Sequence, residues 1–245
     1  MTQEQIAKKN TYKLVLIGAA LLLFLVSVTI HLSENYVVYR LLRALTSVVF
    51  LGIIIKYKGW RTNVLLAGFL TCYGLSSFLT IWYENTTLAT IALLFNFVAF
   101  LFVIKALWKK ASFKNLGIVL SVIFAFLILI KGYLLYEFVS MLKDFTLSNM
   151  QYAAMLIGAM ALIVCSFLAL LYNHALNTKA SLVFAVVVFL FVFAEVFRAM
   201  GYYDFDFGNI FVYIARVIMI TATAMLAHFV IMPKSEEESL TNKIV

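Results

Sequence analysis

Polar and charged residues punctuate this chain at regular distances, and long apolar runs lie between them. The runs are Lys13–His31, Tyr36–Lys56, Thr62–Tyr83, Thr87–Trp108, Asn115–Phe138, Asn149–Tyr172, Lys179–Met200 and Gly208–Met232. Each is close to the roughly twenty residues that an α-helix needs to cross a bilayer. The runs are continuous, whereas barrel strands alternate, and an open strand in lipid would leave its backbone groups unpaired. The pattern therefore predicts an all-α polytopic membrane protein, a bundle of about eight transmembrane helices. The connections are short, so consecutive helices are expected to pack as antiparallel neighbours.

Composition agrees with the pattern. Hydrophobic residues make up 65% of the 245 residues and charged residues only 12%, against about a quarter charged in an ordinary soluble domain. There is a single Pro and no Ser/Gly-rich linker, which predicts one transmembrane domain over residues 1–245 with short charged tails at 1–12 and 233–245. The first apolar run is followed by HLSENYVV, without a small-residue cleavage pattern, so an uncleaved first helix is expected.

The net charge of +8 sits in the loops and alternates in sign bias. Lys8, Lys9 and Lys13, then Lys56, Lys58 and Arg61, then Lys105, Lys109, Lys110 and Lys114, then His174 and Lys179 mark one side. Glu34, then Glu84, then Glu137, Lys143 and Asp144, then Asp204 and Asp206 mark the other. Positive loops stay in the cytoplasm, so both termini are expected to be cytoplasmic. The positive balance thus reports orientation, and nucleic acid is not expected as a partner. The short loops suit a multi-pass protein of a bacterial inner membrane.

Against this background, ionisable groups inside the runs stand out, because each costs several kcal/mol at membrane depth unless it is paired or used. Glu195 lies six residues from the end of its run at Gly201, about 9 Å deep. Arg43, Lys131 and Arg216 lie roughly 9–12 Å deep by the same count, with Arg40 and Arg198 shallower. All fall in the outer half of the expected membrane. Residues three or four apart share a helix face, which groups Arg40, Arg43 and Ser47, Glu195 and Arg198, and Tyr213 and Arg216. Ser76, Ser77, Asn96 and Tyr133 are further polar groups at similar depth. One reading is structural: Glu195 pairs with an arginine and joins helices, while the shallow arginines reach outward. The other is an outer-facing anion cavity in which several arginines hold a phosphate by bidentate hydrogen bonds. In a membrane the obvious phosphate is a lipid headgroup. Asp204 and Asp206, in the adjoining loop, are available to neutralise two of the cations.

Other chemistry is thin. Cys72 and Cys165 lie inside apolar runs without CxxC spacing, and His31 falls at the opposite membrane face from His174 and His228. No metal site and no cofactor are expected. A GxSxG elbow and a Gly-rich phosphate loop are both missing.

Short stretches resemble the YhhN-type membrane family, whose characterised members are lysoplasmalogenases. Arg43-Ala44-Leu45-Thr46 is similar to the family's K-P-L-T stretch in the second helix, and Phe193-Ala194-Glu195 is similar to F-x-S-D in the seventh. Cys72-Tyr73-Gly74-Leu75-Ser76 sits where the third helix carries G-D, and Leu75 replaces the acid there. The resemblance implies an eight-helix fold and a lysophospholipid ligand. It also implies hydrolysis of the vinyl-ether bond, with Glu195 as the catalytic acid. Taken with the charge pattern, Arg40, Arg43, Lys131, Arg198, Tyr213 and Arg216 are the candidate substrate-binding residues. The family's second acid is absent. A non-enzymatic lipid or anion binder, with Glu195 as counter-ion, and a purely structural membrane protein remain the alternatives.

Overall fold

A computed structural model describes residues 3–33, 35–59, 63–108, 110–111, 117–202 and 208–232. Among these the architecture is all-helical, with eight helices long and apolar enough to cross a membrane. In chain order they are α1 (Gln3–Leu32), α2 (Tyr36–Lys58), α3 (Val64–Leu79), α4 (Thr86–Trp108), α5 (Ile118–Met141), α6 (Asn149–Leu176), α7 (Lys179–Tyr202) and α8 (Gly208–Ile231). The helices overrun the apolar runs where polar helix formers follow on, as at the start of α1 and the end of α6. The third run instead breaks off early into a 3-10 turn at Thr80–Trp82.

Local chemistry fixes the turns. Asn35 Oδ1 accepts from the Val38 amide and opens α2, and Ser148 Oγ accepts from the Gln151 amide and opens α6. Asn85 Oδ1 accepts from the amides of Thr87 and Leu88, so this side chain is engaged in starting α4. Asn177, at φ 44°, ends α6 in the left-handed conformation.

Seven helices form a ring of contacts. α1 meets α2 and α8, α2 meets α3 and α8, α3 meets α4, α4 meets α6, α6 meets α7, and α7 meets α8. Lipid tails are as apolar as leucine, so close approach between helices depends on small residues. α4 carries Ala89, Ala92, Asn96 and Ala99 as a buried stripe, and α6 faces it with Ala161, Cys165 and Ala169. Cys165 Sγ donates to the Phe100 carbonyl at 3.5 Å across this seam. Phe69, Tyr73, Phe100 and Phe191 interlock at ring-centroid distances from 4.9 to 6.4 Å, tying α3 to α4 and α7.

α5 departs from the expected order of neighbours. It packs on α6, outside the ring, and only 6% of its spanning window is buried, against 44% for α6. Ser121, Ala125 and Gly132 put small residues on one of its faces, but that face does not close on α4, and Ser121 and Ala125 stay exposed. α4 takes α6 instead.

The α2–α3 crossing is set by Gly74. A Cβ placed there would lie 3.2 Å from the Ser47 Cβ, tighter than ordinary contact. Gly74→Leu is expected to force these helices apart and cost about 1–3 kcal/mol, the usual penalty of overpacking. Thermal unfolding in detergent should show the loss, and Ser47→Gly should recover part of that of Gly74→Ala. A Gly74→Leu protein with unchanged melting would refute the close crossing.

Candidate functional site

A half-enclosed cavity of about 220 Å³ opens among α1, α2, α3, α7 and α8. It lies at the end of the bundle where α1 stops and α2 begins. Its wall carries four guanidinium groups, from Arg40, Arg43, Arg198 and Arg216, together with His31, Tyr39 and Tyr73. Ala194, Gly201, Val212, Ala215 and Met219 complete it, and these mostly small residues leave the room that the cavity occupies.

Arg216, Arg43 and Arg40 are held by groups outside their own helices, and Arg198 by Glu195 on its own helix. Arg216, on α8, donates from Nε to Ser27 Oγ of α1 at 2.7 Å and from Nη2 to the Leu42 carbonyl of α2 at 3.1 Å. Its guanidinium lies 5.8 Å from the Tyr39 ring centroid, a cation–π distance. Arg43 donates from Nη2 to Thr80 Oγ1, whose own hydroxyl donates to the Ser77 carbonyl at 2.7 Å. Here the early end of α3 has a use, because it brings Thr80 back against α2. Arg40, nearer the mouth, donates from Nη1 to the Ile81 carbonyl at 3.1 Å and to Glu84 Oε1 at 2.9 Å. That hydrogen bond holds the mostly exposed Glu84 carboxyl below its ordinary range. At the rim, His31 Nδ1 is hydrogen-bonded with Tyr213 Oη at 2.9 Å, and the imidazole meets the Tyr39 ring edge-on at 5.1 Å.

Glu195 stands behind this cavity, not in its wall. Oε1 accepts from Tyr73 Oη at 2.6 Å, and Oε2 accepts from Asn96 Nδ2 at 2.7 Å and forms an ion pair with Arg198 Nη2. The carboxylate thus receives donors from α3, α4 and its own helix, and all its described polar contacts are donors. It lines a second, smaller cavity of about 80 Å³ among α4, α5, α6 and α7, which it shares with Asn96 and Arg198.

The residues expected at a substrate site therefore divide. Arg40, Arg43, Arg198 and Arg216 meet in one wall. Tyr213 adjoins it through His31, and Glu195 adjoins it through Tyr73 and Arg198. Lys131 lies elsewhere. It sits on α5 with Nζ 3.9 Å from the Phe189 ring centroid, in a crevice between α5 and α6. Its depth matches the arginines, but α5 is outside the ring. Tyr133, on the same helix, is 64% exposed. Asp204 and Asp206 lie outside the described residues. Leu75 is 44% exposed, so the position compared with a family acid turns away from the site, whereas Tyr73, two residues earlier, turns in. The roles of Ser27, Tyr39, Tyr73 and Thr80 were not read from the sequence, where a hydroxyl in an apolar run looks like any other. Among the described residues no three of His, Cys, Asp and Glu come together as a metal site.

Removing the acceptor from this network should be costly. Glu195→Leu leaves the Arg198 charge and two further donors facing an apolar side chain, and breaking a buried pair in this way costs about 3–5 kcal/mol. Glu195→Gln should cost less, because it keeps one acceptor oxygen. Glu84→Gln should cost no more than about 1 kcal/mol, as exposed ion pairs do. A carboxyl lowered by folding stabilises above its ordinary range and loses that contribution as pH falls through the lowered value. Melting curves across acid pH should thus lose a small decline in Glu84→Gln. Equal melting of Glu195→Leu and the native protein would refute the network.

No protein-family model, no curated protein and no solved structure matches this chain.

Proposed function

We propose that the arginine-lined cavity binds the phosphate headgroup of a lysophospholipid, in a multi-pass protein of a bacterial inner membrane whose cavity faces away from the cytoplasm. The observation that carries this reading is the convergence of four guanidinium groups on one hollow at membrane depth. Ion pairs that only join helices need no hollow, and buried ionisable groups in membranes mark binding sites by default. The guanidinium fork matches phosphate oxygens two at a time. Tyrosine hydroxyls and an imidazole in the same wall add neutral hydrogen-bonding groups. At about 220 Å³ the cavity is below the roughly 300–1,000 Å³ of sites that enclose drug-sized ligands, which suits a headgroup whose chain stays outside.

The YhhN-like enzymatic form of this reading makes Glu195 the acid that protonates a vinyl ether. The hydrogen-bond pattern favours another role. Tyr73, Asn96 and Arg198 all donate to Glu195, which supports an acceptor that orients Arg198 toward the cavity. Binding therefore comes before catalysis as the proposed activity.

The test uses the full chain in lipid nanodiscs. Lysophosphatidic acid should bind and raise the melting temperature, and monoacylglycerol, which lacks the phosphate, should not. Arg216→Gln and Arg40→Gln should each weaken lysophosphatidic acid binding about tenfold or more, the worth of one charge-assisted hydrogen bond. Arg40 is nearer the surface, so its variant reports binding even if the buried one fails to fold. Equal response to the two lipids would sink the proposal. Aldehyde release from a vinyl-ether lysolipid, lost in Glu195→Gln, would replace binding with the enzymatic reading.

A further inference from the structure

The second cavity has a polar end and an apolar remainder. Asn96, Glu195 and Arg198 form the polar end, and the other lining residues are apolar side chains of α4, α5, α6 and α7. Arg198 also lines the arginine cavity, so the two spaces share one residue of their walls. Asn96 is 8% exposed, and its amide orientation is set because Nδ2 donates to Glu195. That leaves Oδ1 buried with no hydrogen-bond partner among the described residues. A buried amide oxygen without a donor has lost its water and gained nothing in return, so a donor belongs there. No described side chain supplies it.

The outer wall of this space is α5, through Leu135, Phe138, Val139 and Leu142. α5 is the helix held from one side, with 6% of its window buried. The floor is α6, where Ala154, Gly158 and Ala159 keep the surface low. A Cβ at Gly158 would meet nothing within 4 Å, so the space above it is open. A slot that is apolar outside, polar within, and roofed by the least buried helix of the bundle fits the junction between a lipid's head and its chain.

Resting on the phosphate-binding reading, we infer that the ligand is a single-chain lipid with a free hydroxyl beside its phosphate, and that it is held across both cavities. Its phosphate lies among the arginines, its hydroxyl donates to Asn96 Oδ1, and the head-proximal end of its chain lies in the slot under α5. The volume of about 80 Å³ holds two or three groups of water size, at roughly 30 Å³ each. The rest of the chain runs out beside α5 into the bilayer. A lipid with two chains would have its hydroxyl esterified and could not donate to Asn96.

The experiment uses lysophosphatidic acid with a photoreactive diazirine on a carbon close to the glycerol. Crosslinking to the full chain in nanodiscs should label peptides of α5 and α6 that contain Leu135, Val139 or Met155. Gly158→Phe, whose Cβ has open space and whose ring would occupy the slot, should abolish that labelling, and Gly158→Ala should keep it. Glycerol 3-phosphate, which has no chain, should still raise the melting temperature of Gly158→Phe. An analogue without the free hydroxyl should bind about tenfold more weakly, the worth of one buried hydrogen bond. Labels on α1 or α8, or spread round the perimeter, would overturn the chain slot, as would labelling that persists in Gly158→Phe. If Gly158→Phe does not fold, the wild-type label positions and Gly158→Leu decide. Failure of glycerol 3-phosphate to bind the native protein would instead remove the phosphate reading beneath it.

Discussion

An ion inside a bilayer has to find its partners within the protein, because the surrounding lipid offers none. Glu195 shows what that constraint does to the fold. Its two oxygens draw Tyr73 from α3, Asn96 from α4 and Arg198 from the next turn of α7 to one point. The contact works because each donor is independently placed. Tyr73 is fixed by the aromatic cluster with Phe69, Phe100 and Phe191. Asn96 is fixed by a stripe of alanines that brings α4 in close. Apolar packing thus sets positions, and the carboxylate selects the one arrangement that satisfies its charge. Replacing the cluster with other apolar side chains of equal volume would keep the helices packed but lose that selection.

Arg216 and Arg43 obey the same constraint with neutral partners. A serine hydroxyl and a backbone carbonyl receive Arg216, and a threonine at a helix end receives Arg43. The Leu42 carbonyl accepts from both Thr46 Oγ1 and Arg216 Nη2. These neutral acceptors fix where the two guanidinium groups lie. Arg198 and Arg40 are placed by carboxylates instead, at the back and the mouth of the cavity.

The membrane class, the number of helices and most of their limits were legible in the sequence, because length and hydropathy alone determine them. Counting residues from the run ends puts Arg43, Glu195 and Arg216 in one layer, and the structure has them lining two adjacent cavities. What counting cannot supply is the direction a residue faces round the bundle. Lys131 has the right depth and the wrong side, because nothing in its run declares that α5 packs outside the ring. Leu75 and Tyr73 show the same gap within a single turn, where a residue two positions from an expected acid supplies the contact instead. Small residues carry only part of the missing information. The alanines of α4 and α6 lie on the faces that close on each other, whereas α5 has Ser121, Ala125 and Gly132 on one face and leaves the first two exposed.

The place of α5 bears on how any lipid would reach the arginines. The mouth beside Arg40 faces water or headgroups, so a ligand using it must lift its chain out of the bilayer, and that exposes apolar surface at about 25 cal/mol per Å². Passage under α5 avoids this cost, because the chain stays in hydrocarbon throughout. The helix that must yield is also the one whose displacement breaks the fewest buried contacts, since nearly all of its surface already faces outward. Lys131 lies outside both cavities, and its contact with Phe189 joins α5 to α7, a cation–π contact of a kind worth about 0.5–2 kcal/mol.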